Sequence, residues 1–163
     1  MPCSGGASAP KRGRAPPWAL AEADFVSTCT RCDACIDACP ESILARGDGG
    51  FPIVDFNAGE CTFCQDCVAA CRPRALRLDT TDAPAAVPWS IKAAVQDKCL
   101  ALHGVHCQAC RDACPTGAIR FPLRTGVPRP VVDPAQCTGC GACVAPCPVE
   151  AVLVREPDQE AHA

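Results

Sequence analysis

Cysteine spacing constrains this chain more than any other feature, because sixteen of its 17 cysteines fall into four groups of four. Three groups share the spacing C-x2-C-x2-C-x3-C, whereas the third in chain order reads C-x7-C-x2-C-x3-C. A repeated pattern indicates one supersecondary unit used four times. Cys3 stands outside the groups. The groups are Cys29, Cys32, Cys35 and Cys39; Cys61, Cys64, Cys67 and Cys71; Cys99, Cys107, Cys110 and Cys114; and Cys137, Cys140, Cys143 and Cys147.

This spacing is typical of iron–sulfur ligand sets. Two-residue spacers let three thiolates reach three corners of a [4Fe–4S] cube, while the fourth cysteine points to the partner cube. All sixteen grouped cysteines are therefore predicted iron ligands, holding four clusters, or three if the third group is empty. The predicted sets are Cys29, Cys32, Cys35 and Cys71; Cys61, Cys64, Cys67 and Cys39; Cys137, Cys140, Cys143 and Cys114; and Cys99, Cys107, Cys110 and Cys147.

Structural zinc, disulfides and histidine ligands are the alternatives. Zinc sites usually join two C-x2-C pairs across a longer loop, which these groups do not resemble. Disulfides would require an oxidising compartment. His103 and His106 lie within the third group and could replace a thiolate or donate to a sulfur, although a cysteine is available for every ligand position.

The predicted location is cytoplasmic. Lys11, Arg12 and Arg14 resemble the basic start of an export signal, but Pro16-Pro17-Trp18 and acidic residues follow instead of an apolar run. The net charge of −3 gives no electrostatic footprint for nucleic acid, and no apolar stretch is long enough to span a bilayer. We expect neither a nucleic-acid partner nor a small-molecule substrate. With no nucleophile beside a base and no phosphate-binding loop, the chain is predicted not to be an enzyme.

The chain has few large side chains with which to build a core, with five Phe, two Trp and no Tyr. Clusters would fill that space, so cluster binding and folding are predicted to be coupled. The predicted fold is α+β, with tandem bacterial-type ferredoxin-like halves of two clusters each, built from short helical ligand turns and small antiparallel hairpins. Residues 90–95 are predicted to be helical. The predicted divisions are a flexible tail over 1–24, a first half over 25–79, a linker over 80–96, a second half over 97–155 and a disordered tail over 156–163.

Several motifs together resemble the NapF-type ferredoxins. The cluster motifs alone are shared by very many ferredoxins, whereas the Pro-Pro-Trp opening combined with the irregular third group is more telling. The resemblance runs from about Arg14 to Val154, and Arg72 departs from it where the other groups have proline. The matching segments are Arg14-Ala15-Pro16-Pro17-Trp18, Cys29-Thr30-Arg31-Cys32-Asp33-Ala34-Cys35, Gly49-Gly50-Phe51-Pro52 and Cys137-Thr138-Gly139-Cys140-Gly141-Ala142-Cys143.

The resemblance implies a cytoplasmic iron–sulfur accessory protein of the periplasmic nitrate reductase system. Such a protein acts on the catalytic subunit, NapA, before export, in assembly of that subunit's [4Fe–4S] cluster. Two alternatives stay open, namely a general polyferredoxin electron carrier and an electron-transfer subunit of an oxidoreductase. Cluster donation predicts at least one labile cluster, and the long spacing of the third group makes that group the candidate.

Overall fold

The structure, a computed structural model, describes residues 13–78, 88–123 and 126–157. The described residues form two compact units, one from 13–55 and 65–78, the other from 56–64, 88–123 and 126–157. Both units combine short helices with antiparallel strands, which fits a ferredoxin-like fold. No helix in these ranges is long and apolar enough to cross a membrane. The division into halves at 25–79 and 97–155 stays a prediction.

The first unit contains a short hairpin and three short helices. Strand β1 pairs antiparallel with β2, with Leu44 opposite Val54. A 3-10 turn over Asp48–Gly50 connects them, as the glycine-rich sequence predicts, and Gly50 there has a φ of 79° that favours glycine. The elements are α1 (Glu22–Thr28), α2 (Ala34–Asp37), β1 (Leu44–Arg46), β2 (Pro52–Val54) and α3 (Asp66–Ala70).

Residues 13–24, which the sequence assigns to the tail, pack against the first unit and form two isolated β-bridges with it. Trp18 is buried, and Ala19 bridges to Leu76. The N–H of Leu20 donates to the carbonyl of Ala75, and the N–H of Arg77 donates to the carbonyl of Trp18. This segment therefore packs as part of the unit. Cys3, Lys11 and Arg12 lie outside the described residues.

The second unit contains two antiparallel strand pairs. Strand β3 pairs with β6, with Lys92 opposite Arg155, and β4 pairs with β5, with Ile119 opposite Val132. A 3-10 helix over Leu100–His103 occupies the long spacing of the third cysteine group. The elements are β3 (Lys92–Val95), α4 (Ala109–Asp112), β4 (Ile119–Arg120), β5 (Val131–Val132) and β6 (Val152–Arg155).

The helix predicted over 90–95 is wrong, because this segment forms strand β3. Ile91 and Ala93 are buried whereas Lys92 and Ala94 are only partly so, which is the alternation of a strand with one buried face. The segment is also too short to be a stable helix without tertiary support. Pairing with β6 satisfies its backbone instead.

Cysteine thiols form part of the core of the second unit. Cys99, Cys110 and Cys143 are buried beside Ile119 and Val152. An apolar core built partly from thiols brings potential iron ligands into the least solvated part of the unit. The fold therefore places ligand side chains where larger apolar side chains would otherwise pack.

Candidate metal centres

The three regular cysteine groups share a pair of left-handed residues around their second cysteine. The residues before and after the second cysteine are left-handed in every case, whereas the equivalent Gln108 of the third group has a φ of −134°. Successive amides in such turns form concave nests that bind anions, including iron–sulfur clusters. The local fold is therefore suited to an anionic cluster. The left-handed residues are Arg31 and Asp33, Phe63 and Gln65, and Gly139 and Gly141, with φ from 57° to 84°.

A cavity in the first unit is lined by four thiols from two cysteine groups. Cys35 lies in α2, and Cys71 follows α3, so the packing of these two helices brings the groups together. The space not filled by protein atoms, counted with the solvent at its mouth, is about 340 Å³. The structure thus brings together one predicted crossed set. Its thiols are Cys29, Cys32, Cys35 and Cys71.

Burial and backbone donors set the ionisation of these thiols. Burial raises the pKa of Cys35 to about 11, and the neighbouring thiols of Cys71 and Cys29 add to the effect. The backbone N–H of Ala34 and the hydroxyl of Thr30 lower the pKa of Cys32. The N–H of Leu76 donates to Cys71 Sγ over 3.3 Å. Such donors stabilise thiolates, the form that binds iron.

The second unit contains a similar cavity, with about 300 Å³ of space when the solvent at its mouth is counted. The N–H of Ala93, in β3, donates to Cys137 Sγ over 3.4 Å, and Lys92 Nζ donates to the carbonyl of Cys137 over 2.5 Å. Burial raises the pKa of Cys143 to about 12, and the nearby thiols of Cys140 and Cys137 raise it further. Four thiols of a second predicted crossed set line this cavity: Cys114, Cys137, Cys140 and Cys143.

Two cysteines of the third group, Cys99 and Cys110, are buried despite the irregular spacing of the group. Burial raises the pKa of Cys110 to about 11, and the thiols of Cys99 and Cys147 add to the effect, so these three members of a predicted set are neighbours. The N–H of Ala151 donates to Cys147 Sγ over 3.1 Å. His103 instead contacts the backbone, with Nε2 2.8 Å from the carbonyl oxygen of Asp97.

The remaining predicted set draws on both units and stays a prediction. Cys61 and Cys64 belong to the second unit, whereas Cys39 and Cys67 belong to the first. Cys61 and Cys67 are buried, and Cys64 is exposed.

Arg72 replaces the proline that follows the last cysteine of the other groups, and its backbone explains the difference. Its N–H donates to the carbonyl of Ala70 over 3.0 Å. Proline has no N–H and would lose this bond. The guanidinium of Arg72 is exposed and lies close enough to lower the pKa of Cys32.

The donor sets fit four-iron clusters. Each cavity is lined by four thiols, with a backbone N–H group directed at one of the sulfurs. A bound metal deprotonates a coordinating thiol even where burial raises its pKa. Among the described residues, no three His, Cys, Asp or Glu side chains are close enough together to hold a single metal ion. The thiols instead surround an open space, the arrangement that a cube with one ligand at each corner requires.

Sequence reasoning missed the residues that pack around the fourth cysteine group. Phe56 and Trp89 lie against this loop, and β3 supplies donors to Cys137. A signal was present, because Pro17-Trp18 and Pro88-Trp89 precede the first and third cysteine groups at similar distances. This repeat precedes an isolated β-bridge at Ala19 in the first unit and strand β3 in the second.

Gly139→Ala is expected to destabilise the protein by about 3 kcal/mol, since it combines left-handed strain with a steric overlap. A Cβ at Gly139 would lie 2.5 Å from the carbonyl oxygen of Ile91. Gly117→Ala is the matched control, because Gly117 is also left-handed but has no atom within 4 Å of such a Cβ. Gly117→Ala should lower the free energy of unfolding by only about 1 kcal/mol. Denaturant unfolding of the loaded proteins measures both, and equal losses would contradict the packing argument.

Two segments of the chain, residues 28–75 and 104–151, match the family described as the 4Fe-4S dicluster domain. With the thiol-lined cavities, this match defines an iron–sulfur protein of the ferredoxin type that binds several [4Fe–4S] clusters, and four clusters are consistent with its cysteines.

Curated relatives cover most of the chain. It is 43% identical over 141 residues to the ferredoxin-type protein NapF of Escherichia coli K12, covering 86% of this chain and 83% of the relative. It is 45% identical over 146 residues to NapF of Haemophilus influenzae, covering 88% and 80%. A methylamine utilization ferredoxin-type protein, MauM of Methylobacillus flagellatus, is 34% identical over 154 residues, covering 86% and 66%. The chain belongs to the NapF family of ferredoxin-type proteins.

Proposed function

We propose that this protein acts in the cytoplasm on NapA, the catalytic subunit of periplasmic nitrate reductase, before export, and supplies the [4Fe–4S] cluster of that subunit. Membership of the NapF family supports this role. The protein's own part is non-catalytic: it binds clusters and releases one to a recipient. In this proposal the sixteen grouped cysteines are the iron ligands, in the four crossed sets, and the fold is a tandem of α+β bacterial-type ferredoxin-like halves.

One observation carries the proposal, namely the exposure of Cys32 at the first cavity. A cluster that leaves must have its ligands replaced one at a time by thiolates of the recipient, so at least one ligand must be accessible. Of the described cysteines, Cys32 and Cys64 are exposed, whereas Cys99 and Cys110 of the third group are buried. We therefore place the labile cluster at the first group instead of the third.

Two exposed arginines lie beside that accessible thiol. Arg31 directly precedes Cys32 and packs over the ring of Phe51, with Cζ 5.1 Å from the ring centroid. Arg72 follows Cys71, another thiol of the same cavity. Positive charge at this edge favours approach of an acidic surface of NapA.

The test is transfer of labelled iron. The protein is loaded anaerobically with labelled iron and sulfide, mixed with cluster-free NapA, and the two are separated and counted. Label on NapA, arriving faster than from free iron and sulfide, is the expected result. Label that stays in place would contradict cluster delivery, whether or not the two proteins form a complex.

Charge-reversal variants test whether NapA binds at the surface beside Cys32. Arg72→Glu is expected to slow transfer about tenfold at low ionic strength, since electrostatic steering changes association rates by this order. Arg129→Glu, at an exposed arginine of the second unit, makes the same change of net charge and should leave the rate within about twofold. Iron content is measured first for each variant. Equal slowing by both substitutions would place docking elsewhere.

Electron carriage is the second candidate function, and one contact favours it. The N–H of Cys61 donates to the carbonyl of Cys140 over 2.8 Å, which joins the loops of the second and fourth cysteine groups directly. Retention of label without complex formation in the transfer experiment, together with reversible reduction, would support this alternative.

A further inference from the structure

Three aromatic side chains, which we call the aromatic clasp, lie together in the second unit. They are Phe56, Phe63 and Trp89. The Trp89 ring meets Phe56 edge-on, with centroids 5.9 Å apart and planes at 80°. It meets Phe63 in the same way, at 6.4 Å and 70°. Such edge-to-face pairs contribute about 0.5–1.5 kcal/mol each beyond the burial of their area.

The clasp holds the loop of the fourth cysteine group. Trp89 Nε1 donates to the carbonyl of Thr138 over 3.3 Å. The loop passes so close that a Cβ at Gly141 would overlap the Phe56 ring, and a Cβ at Gly139 would lie 3.1 Å from Trp89 Nε1. The fourth group therefore needs glycine at two positions where the first group has Arg31 and Asp33.

The clasp also holds the first part of the second cysteine group. Phe63 lies between Cys61 and Cys64, so one clasp side chain belongs to this loop itself. Cys61 is 8% exposed, and its N–H donates to the carbonyl of Cys140 over 2.8 Å. Two ligand loops more than seventy positions apart in sequence thus share one backbone hydrogen bond and one set of aromatic contacts.

We propose that the aromatic clasp couples the second and fourth cysteine groups, so that cluster binding by either group raises the affinity of the other. Each loop must adopt two left-handed residues to bind its cluster, and this ordering opposes binding. The aromatic clasp contacts both loops. When one loop is ordered by its cluster, the other therefore loses less conformational entropy on binding its own cluster. The coupling is reciprocal by linkage. It rests on the ligand assignments of these two groups and needs no partner protein.

The experiment follows cluster release from the whole loaded protein, group by group. An iron chelator is added anaerobically, and pulses of iodoacetamide label thiols as they lose iron. Peptide mass spectrometry then gives separate rates for Cys61 and Cys64, for Cys137 and Cys140, and for Cys29. A loaded protein whose Cys61 is labelled at once would show that the ligand assignment has failed, which is distinguishable from an absence of coupling.

The coupling is measured by disabling the fourth group with Cys143→Ala. In the otherwise unchanged protein, this substitution should speed labelling of Cys61 about tenfold, a coupling of ordinary size. When Phe56→Ala is already present, adding Cys143→Ala should change the labelling rate of Cys61 by less than about twofold. An unchanged Cys61 rate after Cys143→Ala alone would overturn the proposal.

Phe51→Ala is the matched control, since Phe51 is also half-buried but packs against Phe25 in the first unit. It should leave the tenfold response of Cys61 intact. If Phe56→Ala instead speeds labelling of Cys29 as much as that of Cys61, it has unfolded the protein generally. The milder Trp89→Phe then tests whether the aromatic clasp carries the coupling, because this variant keeps an aromatic ring and removes the donor to Thr138. A full tenfold response in Trp89→Phe would overturn the role of the clasp.

Discussion

Removal of iron is expected to abolish most of the far-ultraviolet circular dichroism of this protein. Its helices in the described ranges contain four to seven residues, and its strands contain two to four. Isolated helices shorter than about 12–15 residues are marginal in water. Isolated two-stranded sheets are marginal as well, and each sheet in the described ranges has only two strands. The secondary structure therefore depends on tertiary contacts that the clusters complete.

The buried thiols explain why those contacts fail without iron. Cys99, Cys110 and Cys143 lie in the core of the second unit. Without iron they are small apolar side chains around a cavity, whereas in the proposed ligand sets they would be bonded to two rigid clusters, so binding and folding would share one free energy. Chelation under anaerobic, reducing conditions tests the expectation. Return of the spectrum on adding iron and sulfide is the control, and a native-like spectrum with less than one iron per chain would contradict it.

Local patterns could be predicted from the sequence because they depend on neighbouring residues. The Gly47–Gly50 turn predicts the β1–β2 hairpin, and the cysteine spacing predicts ligand turns with thiols on one concave side. Strand β3 could not be recognised in this way, since its partner, β6, lies more than fifty residues later. The aromatic clasp depends on the same kind of distant contact. In the third cysteine group Cys99 and Cys110 are buried, and the 3-10 helix that follows Cys99 buries Ala101, which spacing alone does not reveal.

Crossed ligation is expected to give an unusual pattern of iron loss in paired cysteine variants. Cys29→Ala and Cys71→Ala each remove one corner of the same predicted cluster, so each should cost about four irons of about sixteen. The double variant should also lose only about four, because both changes affect one cluster. Cys61→Ala combined with Cys71→Ala affects two clusters and should lose the sum of the two single losses.

The opposite assignment, in which each group of four holds its own cluster, predicts the reverse. Cys61 and Cys71 would then share a cluster, and their losses would not add, whereas the losses of Cys29 and Cys71 would add. The contrast survives if a variant keeps a three-iron remnant, because it depends on additivity and not on the size of any one loss.

The second unit offers an independent repetition, since Cys114 lines one cavity with Cys137 whereas Cys110 has Cys99 and Cys147 as neighbours. We expect the iron losses of Cys114→Ala and Cys137→Ala not to add, and those of Cys114→Ala and Cys110→Ala to add. Iron and protein assays of the single and double variants measure these losses. In the crossed arrangement, each cluster takes three thiolates from one group and the fourth from the partner group. No ligand set is then complete until both groups have folded. The crossed arrangement would therefore make each pair of groups fold as one unit.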